Sequence, residues 1–99
     1  MKFQELINQN KPVIVDFFAE WCGPCKVQTP LLQELKQKMG DAVSIIKIDV
    51  DKNRNLASHY QIQSVPTLMI FKEGEARWRK SGVFSAEELE KLIEHINSN

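Results

Sequence analysis

Cys22 and Cys25 are the only cysteines of the chain, and both lie in Trp21-Cys22-Gly23-Pro24-Cys25-Lys26. An apolar stretch, residues 12–18, reads as a buried strand just before them, and a helical pattern follows. A Cys-x-x-Cys pair at such a handover is a candidate for redox chemistry. Two thiols one helical turn apart can close a small-ring disulfide. The first lies where free helix N–H groups and the positive end of the dipole favour an anion. Thiolate is the reactive form of cysteine, so Cys22 is the expected nucleophile. The competing reading, half of a zinc site, needs two further ligands. His59 and His95 are the only histidines and show no ligand-like spacing. Redox chemistry is therefore favoured, with no bound metal.

Asp16 interrupts the apolar run 13–18. A buried carboxylate is costly unless it is paired or protonated. The residue is thus either solvent-facing, a cap, or a carboxylate kept for function. Lys47 alternates with Ile46 and Ile48, which is compatible with an exposed edge charge. Trp21, at a strand end beside a thiol, reads as a partly exposed rim residue rather than a core aromatic.

The elements that must position these residues fit one small α/β domain over residues 1–99. Thirteen basic and thirteen acidic side chains cancel, so no nucleic-acid partner is expected. No apolar run approaches membrane-spanning length, so no membrane partner is expected either. The N-terminus lacks the apolar core of a secretion signal. A reducing, cytoplasmic setting is expected, in which two cysteines are catalytic rather than structural.

Phe3, Leu6 and Ile7 predict a short helix over residues 2–9. The run 13–18, apolar but for Asp16, has the character of a strand buried on both faces. A helix should run from Gly23 to Met39, with Pro24 suited to its first turn and Pro30 kinking its interior. A strand at 43–49, a short helix near 53–59 and a loop at 61–66 follow. A strand at 67–71, a turn at 72–75 and a strand at 76–81 form a hairpin. Ser85 to Glu88 forms a capping box, and Leu89, Leu92, Ile93 and Ile96 line one face of the last helix. The order is α-β-α-β-α-β-β-α.

At this point the chain resembles the thioredoxin family over nearly its whole length. The resemblance rests on residues 15–26, Pro30, Lys47, Asp49-Val50-Asp51, Val65-Pro66-Thr67, Phe71-Lys72-Glu73-Gly74 and Gly82. Cys-x-x-Cys alone is a loose pattern; joined to Val-Pro-Thr some forty residues later it is specific. The resemblance implies the thioredoxin fold, a mixed four-stranded sheet flanked by four helices. It also implies a protein-disulfide reductase working through a reversible Cys22–Cys25 dithiol and disulfide. Asp16 becomes a buried proton acceptor behind Cys25, with Lys47 reaching toward it. Val65 and a cis Pro66 form a loop facing the cysteines. That loop, Trp21, Gly23, Pro24 and Gly82 hold an incoming peptide. Expected partners are disulfide-containing proteins and a thioredoxin reductase, which passes on electrons from NADPH without that cofactor binding this chain. A monomer is expected.

Three departures stand out. Phe18 replaces a frequent Trp, Gln63-Ser64 stands where a glycine is common, and the strand that usually opens the family fold is expected to be absent, since only Met1 precedes the first helical pattern. The remaining strands are expected in the order 43–49, 13–18, 67–71, 76–81. The first three should run parallel, because helices cross between them. The strand at 43–49 becomes an edge, with free groups beside Ile45, Ile46 and Ile48. Either the N-terminal helix covers it or the chain self-associates weakly along it, and the cover is favoured because Phe3, Leu6 and Ile7 need a surface to bury.

Overall fold

The computed structural model of the protein describes residues 2–98, so Met1 and Asn99, the ends of the expected 1–99 domain, lie outside the described residues. Its elements are α1 (Phe3–Ile7), β1 (Val13–Phe18), α2 (Gly23–Met39), a 3-10 turn (Gly40–Ala42), β2 (Ser44–Asp49), α3 (Arg54–His59), β3 (Thr67–Lys72), β4 (Glu75–Ser81) and α4 (Ala86–Asn97). The order matches the expectation. α1 is shorter than its pattern, because Asn8 leaves helical geometry and Gln9 turns its side chain back to the Leu6 carbonyl. α2 continues through Pro30 to Met39.

The sheet order is β2-β1-β3-β4, as expected. β1 and β2 are parallel, but β1 and β3 are antiparallel, with Phe17 level with Thr67. The expectation of three parallel strands is thus corrected. A parallel β3 would require a connection long enough to carry the chain back along the sheet to the end where β2 begins. α3 has only six residues, an advance of roughly 9 Å, against roughly 20 Å for a six-residue strand. The chain therefore stays at the end of the sheet where β1 and β2 finish, and β3 starts there. β4 returns antiparallel to β3, as the hairpin requires.

Alternation along β1 sorts two cores. Ile14 joins Leu68 and Ile70 under Leu32 and Leu35 of α2 and Leu89, Ile93 and Ile96 of α4. Val13, Val15 and Phe17 join Met69 and Phe71 on the other face, with Ile7 and Phe3 of α1 and Leu56 of α3. Ser85 caps α4 through the expected capping box with Glu88.

The expected cover of β2 is not formed. α1 lies on the sheet face, where Phe3 packs edge-on against Tyr60 and Phe71 at 5.7 and 5.9 Å. Aromatic surface is better buried there than along a strand edge. Ser44 N–H bonds Pro12 and Val50 N–H bonds Phe18, so the even-numbered residues of β2 face β1. The outward groups are those of Ile45 and Lys47, not of Ile46 and Ile48. The Lys36 ammonium takes up the neighbouring Val43 carbonyl at 2.7 Å.

Candidate active site

Because β1 and β2 end where β3 begins, the segments after β1, after β2 and before β3 converge at one end of the sheet. The segment after β4 joins them, since Ser81 pairs with Thr67. The strand-to-helix junction that carries the two cysteines sits in the middle. Cys22 has extended geometry (φ −89°, ψ 114°) and is the N-cap of α2, with Pro24 in the first turn. Pro suits that position because the first helical N–H groups have no partner within the helix.

Cys22 and Cys25 are joined as a disulfide, their Cα atoms 5.3 Å apart. The Cys25 N–H donates to Cys22 Sγ at 3.2 Å, and the Val65 carbonyl lies 3.6 Å from the same sulfur. Exposure does not separate the two residues, at 4% and 3%. Position does. Cys22 Sγ occupies the capping site, where N–H groups and the helix dipole stabilise negative charge. Cys25 lies one turn in.

Asp16 is fully buried, and neither carboxylate oxygen meets a protein donor among the described residues. It shares its face of β1 with Ile14, the face that α2 covers. Burial pushes its pKa up from 3.8 to about 6, and the charge of Lys47 pulls partly against this. A carboxylate that titrates near neutrality can take and return a proton at working pH.

Lys47 is the register partner of Asp16 on β2. The expected reach toward Asp16 is not made, and no ion pair forms. The ammonium bonds Thr29 Oγ1 and lies 4.5 Å from the centre of the Phe18 ring. Together Phe18, Cys25, Thr29 and Lys47 line a shallow groove of about 300 Å³ beside the buried thiol position. Lys47 thus acts on Asp16 through its charge rather than by contact.

The rest of the expected binding surface gathers around Cys22. Gly23 and Pro24 are exposed at the start of α2. Val65–Pro66 is cis, and Val65 packs with Ala19 and both cysteines. Gly82 has φ +115°, donates its N–H to the Pro66 carbonyl at 2.9 Å, and has open space where a side chain would stand. Trp21 is 72% exposed, a rim residue as read.

Several contributors were missed in the sequence. Trp21 Nε1 donates to Asp51 at 2.8 Å, fixing the indole across the site mouth. Asp51 entered the sequence reading as part of the Asp49-Val50-Asp51 resemblance, with no role at the site. Ser64, Thr67 and Ser81 join in a hydroxyl cluster between the loop before β3 and the end of β4. Gln28 is fully buried and bonds Phe84. Short-range pattern gives no signal for bonds that span distant segments. Arg79 of β4 clamps the Tyr60 and Gln61 carbonyls at the end of α3. His59 packs against Tyr60, and neither histidine approaches the cysteines by any described contact.

The arrangement can do reversible dithiol chemistry: a stabilised thiolate position, a resolving sulfur within bonding reach, a proton acceptor, and loops offering main-chain groups to a peptide. Comparison with known proteins agrees. The thioredoxin family model matches residues 1–95. The chloroplastic thioredoxin Y of Oryza sativa subsp. japonica is 45% identical over 93 residues, 93% of this chain and 55% of that protein. This chain therefore spans about half the length of that relative. The thioredoxin of Rickettsia felis is 40% identical over 97% of this chain and 89% of its own. A solved variant thioredoxin of Halobacterium salinarum NRC-1 superposes with a TM-score of 0.84 at 37% identity, covering 93% of this chain and 80% of that one.

Proposed function

The chain belongs to the thioredoxin family and carries its thiol–disulfide oxidoreductase chemistry on Cys22 and Cys25, and on that premise we propose that it reduces disulfides in other proteins. The observation that carries this reading is the N-cap placement of Cys22, with Cys25 one turn behind. In the reduced protein, Cys22 thiolate attacks one sulfur of a substrate disulfide. A mixed disulfide forms, and the other substrate sulfur leaves as thiolate. Cys25 then passes its proton to Asp16 and attacks Cys22 Sγ. The Cys22–Cys25 disulfide forms, and the second substrate thiolate departs. Two electrons move from the dithiol to the substrate, whose two sulfurs take up protons.

Resetting the pair requires a two-electron donor. The proposed donor is a thioredoxin reductase that draws on NADPH and docks on the same face. The proposed setting is the reducing cytoplasm, where a dithiol works catalytically rather than as a structural bond, and the proposed working form is a monomer. The test is insulin-disulfide reduction followed by NADPH consumption in the presence of a thioredoxin reductase. Turnover that needs this protein and both its cysteines is expected. Failure to reduce insulin while reducing small disulfides would overturn the protein-substrate reading.

A further inference from the structure

Gln28 lies one turn beyond Cys25 on α2, and no part of it is exposed. Its Nε2 donates to the Phe84 carbonyl at 3.0 Å, and its Oε1 accepts from the Phe84 N–H at 2.8 Å. One side-chain amide thus satisfies both main-chain groups of a residue 56 positions away. Such an amide is unfavourable to bury unless its bonds are made. The inner face of α2 is otherwise served by Leu32 and Leu35. An apolar residue at 28 would pack there but leave the Phe84 N–H and carbonyl without partners.

Phe84 follows Gly82 by two residues, and its ring is held edge-on by Trp78 at 5.2 Å. Gly82 in turn donates to the Pro66 carbonyl. Ser81, one residue earlier, bonds the hydroxyls of Ser64 and Thr67. The segment 81–84 is therefore gripped from two sides: by the helix that carries the cysteines and by the loop that carries Val65 and Pro66. Val65 itself faces Cys22 Sγ at 3.6 Å. A continuous chain of contacts links the reacting sulfur, the Val65 loop, the Gly82 loop and α2.

We infer that Gln28 is a positioning residue that holds the Gly82–Val83 loop in register with Val65, so that an extended polypeptide is gripped across Cys22. The inference rests on the protein-disulfide reading above and names what sets its preference. A small disulfide needs only the sulfur of Cys22. A polypeptide must meet both loops at once, and a shift of about 1 Å in one of them costs it heavily. Gln28 touches neither the substrate nor the reacting atoms.

Gln28→Met keeps the length and loses both bonds. With reduced protein, the rate with Ellman's reagent should stay within about twofold, while kcat/KM for insulin falls about fivefold or more through KM. Equal losses with both substrates, no loss with either, or a loss confined to kcat would overturn the inference. Should the variant not fold, hydrogen exchange on the unaltered protein decides: the Phe84 amide must be protected well beyond that of exposed Val83. Equal exchange of the two amides overturns the clasp. If the unaltered protein reduces Ellman's reagent but not insulin, the protein-substrate reading falls first. If it reduces both and Gln28→Met does so equally well, only the role of Gln28 falls.

Discussion

Asp16 and Lys47 are register partners on neighbouring strands, yet the ammonium turns to Thr29 and the carboxylate is left without a donor. This costs stability in a pH-dependent way. Folded Asp16 keeps its proton up to about 6, whereas its ordinary pKa is 3.8. Between those values the folded state binds more protons than the unfolded chain, so stability falls as pH rises through this window and stays lower above it. The loss amounts to about 3 kcal/mol. Asp16→Asn removes it. In urea unfolding at pH 3.5 and 7, the variant should gain on its parent by roughly that amount between the two conditions. A gap that stays constant with pH would show that Asp16 is not a strained carboxylate.

The same carboxylate should shape activity in the opposite sense. Asp16 accepts the Cys25 proton only when ionised, so turnover should rise as pH passes through about 6. Asp16→Asn should lower insulin reduction about tenfold or more and erase that limb of the profile. An unaltered profile in the variant removes Asp16 from the proton transfer.

Cys22 and Cys25 differ in position rather than exposure, and the difference should be chemical. In the reduced protein at neutral pH, iodoacetamide should modify Cys22 far faster than Cys25, as peptide mass mapping would show. Cys25→Ser should hold substrates as stable mixed disulfides, because no thiol remains to resolve them. Equal labelling at the two positions contradicts the assignment.

Gly82 combines a positive φ with open space where a side chain would stand. Gly82→Ala should cost about 1–2 kcal/mol in thermal or urea unfolding, since any side chain is strained there. On the proposed reading, its methyl group would also stand where a polypeptide backbone passes. Insulin reduction should therefore suffer more than reduction of Ellman's reagent. Loss of stability with no change in substrate preference would make Gly82 a turn residue only.

What could be read from the sequence was local. The apolar run 13–18, the capping box at Ser85 and the Cys-x-x-Cys junction depend on neighbours in the chain, and each element formed where its pattern lay. The direction of β3 depended on how far six residues of α3 can carry the chain, and a parallel assumption hid that length. α1 went to the face rather than the edge because Phe3 found Tyr60 and Phe71, two partners distant in sequence. At the site, Cys22, Cys25, Val65, Pro66 and Gly82 came from motifs. Asp51, Gln28 and the Ser64–Ser81 bond act through single contacts between remote segments, which leave no periodic trace.

The Cα separation of 5.3 Å between the cysteines has a further consequence under attack by peroxide. A lone thiolate oxidised to sulfenic acid can proceed to sulfinic and sulfonic acids, which thiols do not restore. Here a sulfenic acid on Cys22 meets the Cys25 thiol within bonding reach, and the two condense with loss of water. The product is the disulfide that an ordinary turnover leaves behind. Oxidative injury at the nucleophile is thereby converted into a normal intermediate, and whatever donor resets the catalytic cycle also performs the repair.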